Sequence, residues 1–469
     1  MNPSRRSLLG FGLTGLVAAG TGPQLLAPST AAAATDRLQA VRSRIKAPRF
    51  RDAWFPITSY GATPQSATAG IARAIEACHR AGGGHVLVPP GVWQTGAIHL
   101  LSEVDLHIAE GATLRFSTDR ADYLPVVRTR WQSVEVYNYS SLIRAENQTN
   151  IAITGRGVLD GAGDNEHWWY LIGSGQYGWH DGLPNQRADW AALEQLNNDQ
   201  VPVEQRVFGA GHYLRPSFIQ PFRCHNVLIE GVTVLNSPMW TIHPLECDNV
   251  TIQDVQVHNL GPNGDGCDPE SCTNVLIRGC TFETHDDCIA IKSGRDADGR
   301  RLGLPSRGIV VEDCTFVSGG AAVAVGSEMS GGIEDVWVHR LRMPADPAAD
   351  EAFLQWVLCV KSTSTRGGYV RNVVVSEVDC RAWTYRPLEI TFSYQGGGDQ
   401  ALFPDVRNIV FDRVRVARAE RAYRIVGAET RPIRQVAITN SRFDVVAAEA
   451  VVEYADKVTV RNVRIGGTG

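Results

Sequence analysis

Two short knots of acid stand about one repeat apart in this chain. Asp265 and Asp268 lie in NGDGCD, and Asp286 and Asp287 lie in THDDC; between and around them run cysteine, small residues and β-branched apolar residues. Carboxylates gathered on one patch suit general acid–base chemistry. Like charges held a few ångströms apart cannot all ionise, so one group keeps a proton to donate while another accepts. Read separately, each knot is an ordinary turn, because Asp, Asn and Gly dominate turns. The question is whether the fold brings the knots together.

A recurring phrase answers it. A residue such as Asn is followed by alternating apolar residues, a turn and more alternation: NVLIEGVTVLNS from Asn226, NVTIQDVQVHNL from Asn249, NVLIRGCTFETH from Asn274. Further copies begin at Asn150, Gly308, Asp335, Asn372, Asn408, Gln435 and Lys457, at spacings of roughly 22 to 37 residues outside one long interruption. Period-two alternation over a few residues is strand, and the absence of amphipathic helices between copies argues against a doubly wound sheet. The uneven repeat also argues against a β-propeller, whose blades need four strands each. The stretch from Ala67 to Gly84 reads as the one helix, with Ile71, Ala74, Ile75 and Cys78 on one face, placed to cap an open sheet end. The expected architecture is all-β, a parallel β-helix with a short N-terminal capping helix. Rungs of such a solenoid sit roughly 4.8 Å apart. Asp265 and Asp286 then fall on adjacent rungs with Asp287 beside them, so three carboxylates share one patch.

Bulk properties narrow the partners. The chain has 469 residues, 43% of them hydrophobic and 20% charged, and a formal charge of −5, which gives no basic stripe for nucleic acid. The ten cysteines include no Cys-x-x-Cys pair, which argues against a zinc site, and Cys280 and Cys314 recur at matching places, as stacked core thiols would. Residues 1–34 read as a twin-arginine export signal: Arg5-Arg6, an apolar run, and a small-residue cleavage site near Ala34. That predicts a periplasmic or secreted protein without a membrane anchor, a lead-in over 35–53 and a single β-helix domain over 54–469. The stretch from Gly161 to Tyr213, rich in Trp, is too long for a solenoid turn and reads as functional.

The chain resembles glycoside hydrolase family 28, the polygalacturonases, over nearly all of its length beyond the signal. The resemblance is carried by ITSYGATPQ from Ile57, NIAITGRGVLDG from Asn150, the Asn263-Gly264-Asp265-Gly266 motif and His285-Asp286-Asp287. It implies a right-handed winding, a cleft on one face, and inverting hydrolysis of α-galacturonosyl linkages in pectic polysaccharide or oligogalacturonide, with no cofactor or metal. By the match, Asp286 is the general acid, and Asp265 and Asp287 hold and activate water.

Departures from the family pattern are as informative. Gly320 stands where the family has His in Gly-His-Gly, and Cys359-Val360-Lys361 stands for Arg-Ile-Lys. Losing two carboxylate-binding groups opens a rhamnogalacturonan-specific alternative, and leaves other cations to bind substrate: Lys292, Lys361, Arg295 and Arg366. Trp240, His243 and His285 are further candidate substrate contacts. The long interruption beside the cleft predicts exo action. Two other classes compete: a pectate-lyase-like enzyme with a calcium-binding acid cluster, and a non-catalytic carbohydrate-binding solenoid.

Overall fold

The computed structural model describes residues 28–344, 354–395, 398 and 400–467. The twin arginine and the apolar run after it lie outside the described residues, and the expected cleavage near Ala34 falls inside a helix, α1 (Pro28–Arg44).

Three parallel sheets wind around one core. A typical coil places Ile219–Phe222 on the first sheet, His225–Glu230 on the second and Thr233–Leu235 on the third. The chain then returns to the first sheet at Ile242 and Leu245, one rung further on. Strand pairing is in phase, so like residues stack. Val227, Val250, Val275, Ile309, Val336, Val373, Ile409 and Val436 form one inward column across successive coils. Burying each such side chain contributes roughly 1.5–3 kcal/mol. Their β-branched shape fits the pleat.

The residue that opens each repeat has a physical role. Asn150, Asn226, Asn249, Asn274, Asn372 and Asn408 take φ between 54° and 59° at the turn from the first sheet to the second. Among residues with a side chain, Asn tolerates that left-handed conformation best. The amides also bridge rungs: Asn226 Nδ2 donates to Asn150 Oδ1 at 2.8 Å, Asn249 to Asn226 at 2.5 Å and Asn408 to Asn372 at 2.6 Å.

The expected capping helix is α2 (Thr68–Arg80), which buries Ile71, Ala74, Ile75 and Cys78. The sequence reading of a single helix is corrected by three more: α1, α3 (Arg187–Asn198) and α4 (Asp296–Leu302). Leu38 and Val41 of α1 and Ile45 just after it, all in the expected lead-in, pack on Val310, Trp337, Leu276 and Val374 outside the second sheet. An Ala-rich run hides that apolar face from periodicity. All ten cysteines are free and buried.

Two long excursions leave the turn from the third sheet to the first, over 117–142 and 161–218. The first holds a hairpin of Val127–Trp131 and Val134–Asn138, and the second holds α3. They share a second core of Trp131, Val134, Leu193 and Phe208 that packs on Met239 and Trp240 of the solenoid.

Candidate active site

The first sheet is the floor of the site. Cys267 and Ile289 bridge adjacent rungs, so Asp265 and Asp287, each two residues earlier, occupy equivalent places, with Asp286 beside Asp287. One oxygen from each of the three lies within 4.8 Å of the others. Asp287 is 1% exposed and held at both oxygens, Oδ1 accepting Ala321 N–H at 3.0 Å and Oδ2 accepting Lys361 Nζ at 2.6 Å. Asp286 is half-buried, and its Oδ1 accepts the Asp287 N–H at 2.9 Å. Asp265 is buried, with Lys292 Nζ 3.7 Å away. Burial, then the negative charges of Asp286 and Asp268, push the Asp265 carboxyl well above the usual carboxylate range. Burial raises Asp287 too, against the opposing pull of Lys361.

Asp268 extends the trio inward. It is fully buried, and neither of its oxygens has a hydrogen-bond donor among the described residues; Lys292 Nζ is 3.5 Å away. Its carboxyl, raised well above the usual range by burial, lies against that of Asp265. As two carboxylates they repel, and with one proton between them they become donor and acceptor. A cation would fit the spacing of the trio, but Lys361 and Lys292 already supply positive charge there.

Most residues expected to touch substrate are spent on the protein itself. His243 is fully buried: Nε2 faces Glu270 Oε2 at 2.9 Å, and Nδ1 faces Gln220 Nε2 at 2.9 Å. Trp240 is buried beneath Lys292 Nζ, which sits 4.4 Å from the ring centroid. The expectation that these two contact sugar is corrected, because the hairpin roofs them. Thr129 donates to Gln220 at 2.6 Å, and Arg130 to Glu270 at 2.8 Å. Arg366 is likewise corrected: it is buried and donates to both oxygens of Asp296 at 2.8 Å. Lys292 is buried among Glu328 (3.3 Å), Asp268 and Asp265. Lys361 turns its ammonium to Asp287. His285 alone of the set is exposed, its ring edge 5.8 Å from that of Tyr177.

Gly320 also has a reason within the protein. A Cβ there would stand 2.9 Å from Asp287 Oδ1 and 3.3 Å from Asp287 N, so the space a side chain would need holds the carboxylate.

Sequence reasoning missed four contributors. Arg215, fully buried, donates to the carbonyls of Pro238 and Pro262 and to Asn263 Oδ1 at 2.7–2.8 Å, so it fixes the NGDG turn. Glu328 gathers Lys292, Arg295 and Arg366 within 3.7 Å. Arg130 pins the roof to the floor. Tyr177, on the long excursion, has its hydroxyl raised by burial and then by the charge of Asp286. The alternation in VVRTRWQSVEVYN signals the hairpin; nothing in sequence signals the others, whose partners are distant.

An acid cluster on the open face of a parallel β-helix fits a glycoside hydrolase site, where one carboxyl donates a proton and another activates water. The chain matches glycosyl hydrolases family 28 over residues 210–460 and belongs to that family. An exo-poly-alpha-D-galacturonosidase of Dickeya chrysanthemi is 30% identical over 72% of this chain and 57% of its own length. A probable polygalacturonase of Vitis vinifera is 28% identical over 76% and 66%, so the chain spans about two thirds or less of these two relatives. A hyperthermoactive exopolygalacturonase of Thermotoga maritima superposes with a TM-score of 0.87 at 38% identity, covering 92% of this chain and 96% of that one. The right-handed β-helix expected from the resemblance is the architecture found.

Proposed function

We propose that the protein removes single galacturonate units from the end of a pectic chain by inverting hydrolysis. The observation that carries the exo reading is the roof. The hairpin Val127–Asn138 crosses the floor on the N-terminal side of the trio, contacting Gln220, Glu246 and Glu270 and covering Trp240, and the second excursion is tied to α4 and the residue before it through Arg206–Asp298 and Arg295–Glu194, both at 2.5 Å. A polymer cannot pass that end, so only a chain terminus reaches the acids. The names of the Dickeya and Thermotoga relatives agree with this reading.

The geometry supports the following division of roles. Asp286, the one acid of the trio open to the cleft, donates a proton to the leaving glycosidic oxygen. Asp265 and Asp287 lie deeper, and both Asp287 oxygens are already held, so neither reaches the anomeric carbon except through a water molecule. Water held between them attacks, passes its proton to Asp287, the deep carboxylate whose charge Lys361 balances, and displaces the leaving sugar in one step. The nearest-oxygen distance is shorter than the carboxyl separation usual for inversion, but it measures an attacking pair and an acid packed side by side. The rhamnogalacturonan alternative gains nothing from Gly320, because the room left by the missing His is occupied by Asp287.

Asp286→Asn tests the acid assignment. Reducing-sugar release from polygalacturonate should fall by roughly 10²–10⁴-fold with the fold intact. A rapid fall in viscosity with few reducing ends would overturn the exo reading. The N-terminal segment is read as a twin-arginine signal; Lys-Lys at positions 5 and 6 should leave the enzyme inside the cell.

A further inference from the structure

We propose that Trp356 and Arg386 form a distal subsite that binds a uronate of the polymer on the C-terminal side of the cleaved bond, an inference that rests on the galacturonan reading above. With the N-terminal end roofed, the bound chain must run over the later coils. The register of the first sheet shows what it meets. Ile289 pairs with Val323, and Val323 with Leu358, then Leu388. Two residues earlier on each rung, Asp287, Ala321, Trp356 and Arg386 follow one another in a single column.

That order suits a polyuronate. The half-buried Trp356, packed over the fully buried Ala321, offers an aromatic face for a sugar ring, and Arg386 offers a guanidinium for a carboxylate. Three rungs at roughly 4.8 Å put Arg386 about 14 Å from Asp287, beyond the sugar being cleaved. The guanidinium is held in place: Nη1 donates to Glu389 Oε2 at 3.0 Å, and Arg424 grips the other Glu389 oxygen at 2.5 Å. Glu420 lies 3.6 Å from Arg386 and 3.4 Å from Arg421. Three arginines against two glutamates leave the group net positive. Two donors there, Trp356 Nε1 and Arg386 Nε, have no acceptor among the described residues. The Arg missing at Cys359 therefore has a substitute one rung on, beside the Cys359 thiol.

The test is steady-state kinetics on polygalacturonate and on digalacturonate, which is too short to reach the subsite. In Arg386→Gln the ratio of polymer KM to dimer KM should rise about tenfold, as loss of a hydrogen bond to a charged group predicts. Trp356→Ala should move the ratio the same way, and Arg386→Lys should recover part of the loss. The exposed Arg413→Gln, on another face, is the control. A ratio within twofold of the parent's in both Arg386→Gln and Trp356→Ala, with both substrates still cleaved, overturns the subsite and leaves the proposed function standing. A parent protein that cleaves neither substrate overturns both.

Discussion

At the scale of single residues, the site works by setting carboxylates at different depths. Asp286 faces the cleft, Asp265 and Asp287 lie beneath it, and Asp268 lies beneath Asp265. Gly320 matters because it leaves space for Asp287. Gly320→Ala should lower kcat by up to about 10²-fold with KM little changed, since misplacing a reacting group by a fraction of an ångström to an ångström has that cost. Asp268 should act through its charge. Burial raises its carboxyl, but once ionised it accepts from Asp265 and pushes that carboxyl up. Asp268→Asn removes the charge, so the limb of its kcat/KM profile set by Asp265 should move to lower pH, while Asp268→Leu should lose most activity. The trio itself was legible in the sequence, because the spacing of Asp265 and Asp286 is one coil. Asp268 was visible but had no role there, since burial cannot be read from a turn.

At the scale of elements, the hairpin roof decides which end of the cleft is open. Its anchor is Arg130, which donates to Glu270, itself fully buried. Burial opposes ionisation of Glu270, but Arg130 and then His243 outweigh it and bring its pKa from 4.5 to about 2. The folded pKa is depressed, so this pair stabilises the protein above the unfolded value, and the contribution is lost as pH falls from 4.5 towards 2. Glu270→Gln should cost about 3–5 kcal/mol in denaturant unfolding at pH 7, by leaving a buried guanidinium short of its countercharge. Its stability should then fall less steeply than the parent's over that acid window. The repeated strands and α2 were readable from period and from the Asn that opens each coil. The roof was not, because its meaning depends on Gln220, Glu246 and Glu270, 91 to 140 residues downstream. For the same reason His243 and Trp240 looked like cleft residues.

At the scale of the molecule, a solenoid roofed on one side of its acids and open on the other suits the proposed work from a chain end. The in-phase stacking of coils places Asp265 and Asp287 on adjacent rungs, and the two excursions turn an open groove into a blind one. The most direct test is to follow polygalacturonate hydrolysis by proton NMR from the first turnover. The account predicts free galacturonate as the first product, appearing as the β anomer before it equilibrates. A first product in the α configuration, a ladder of internal oligomers, or an unsaturated sugar would contradict it.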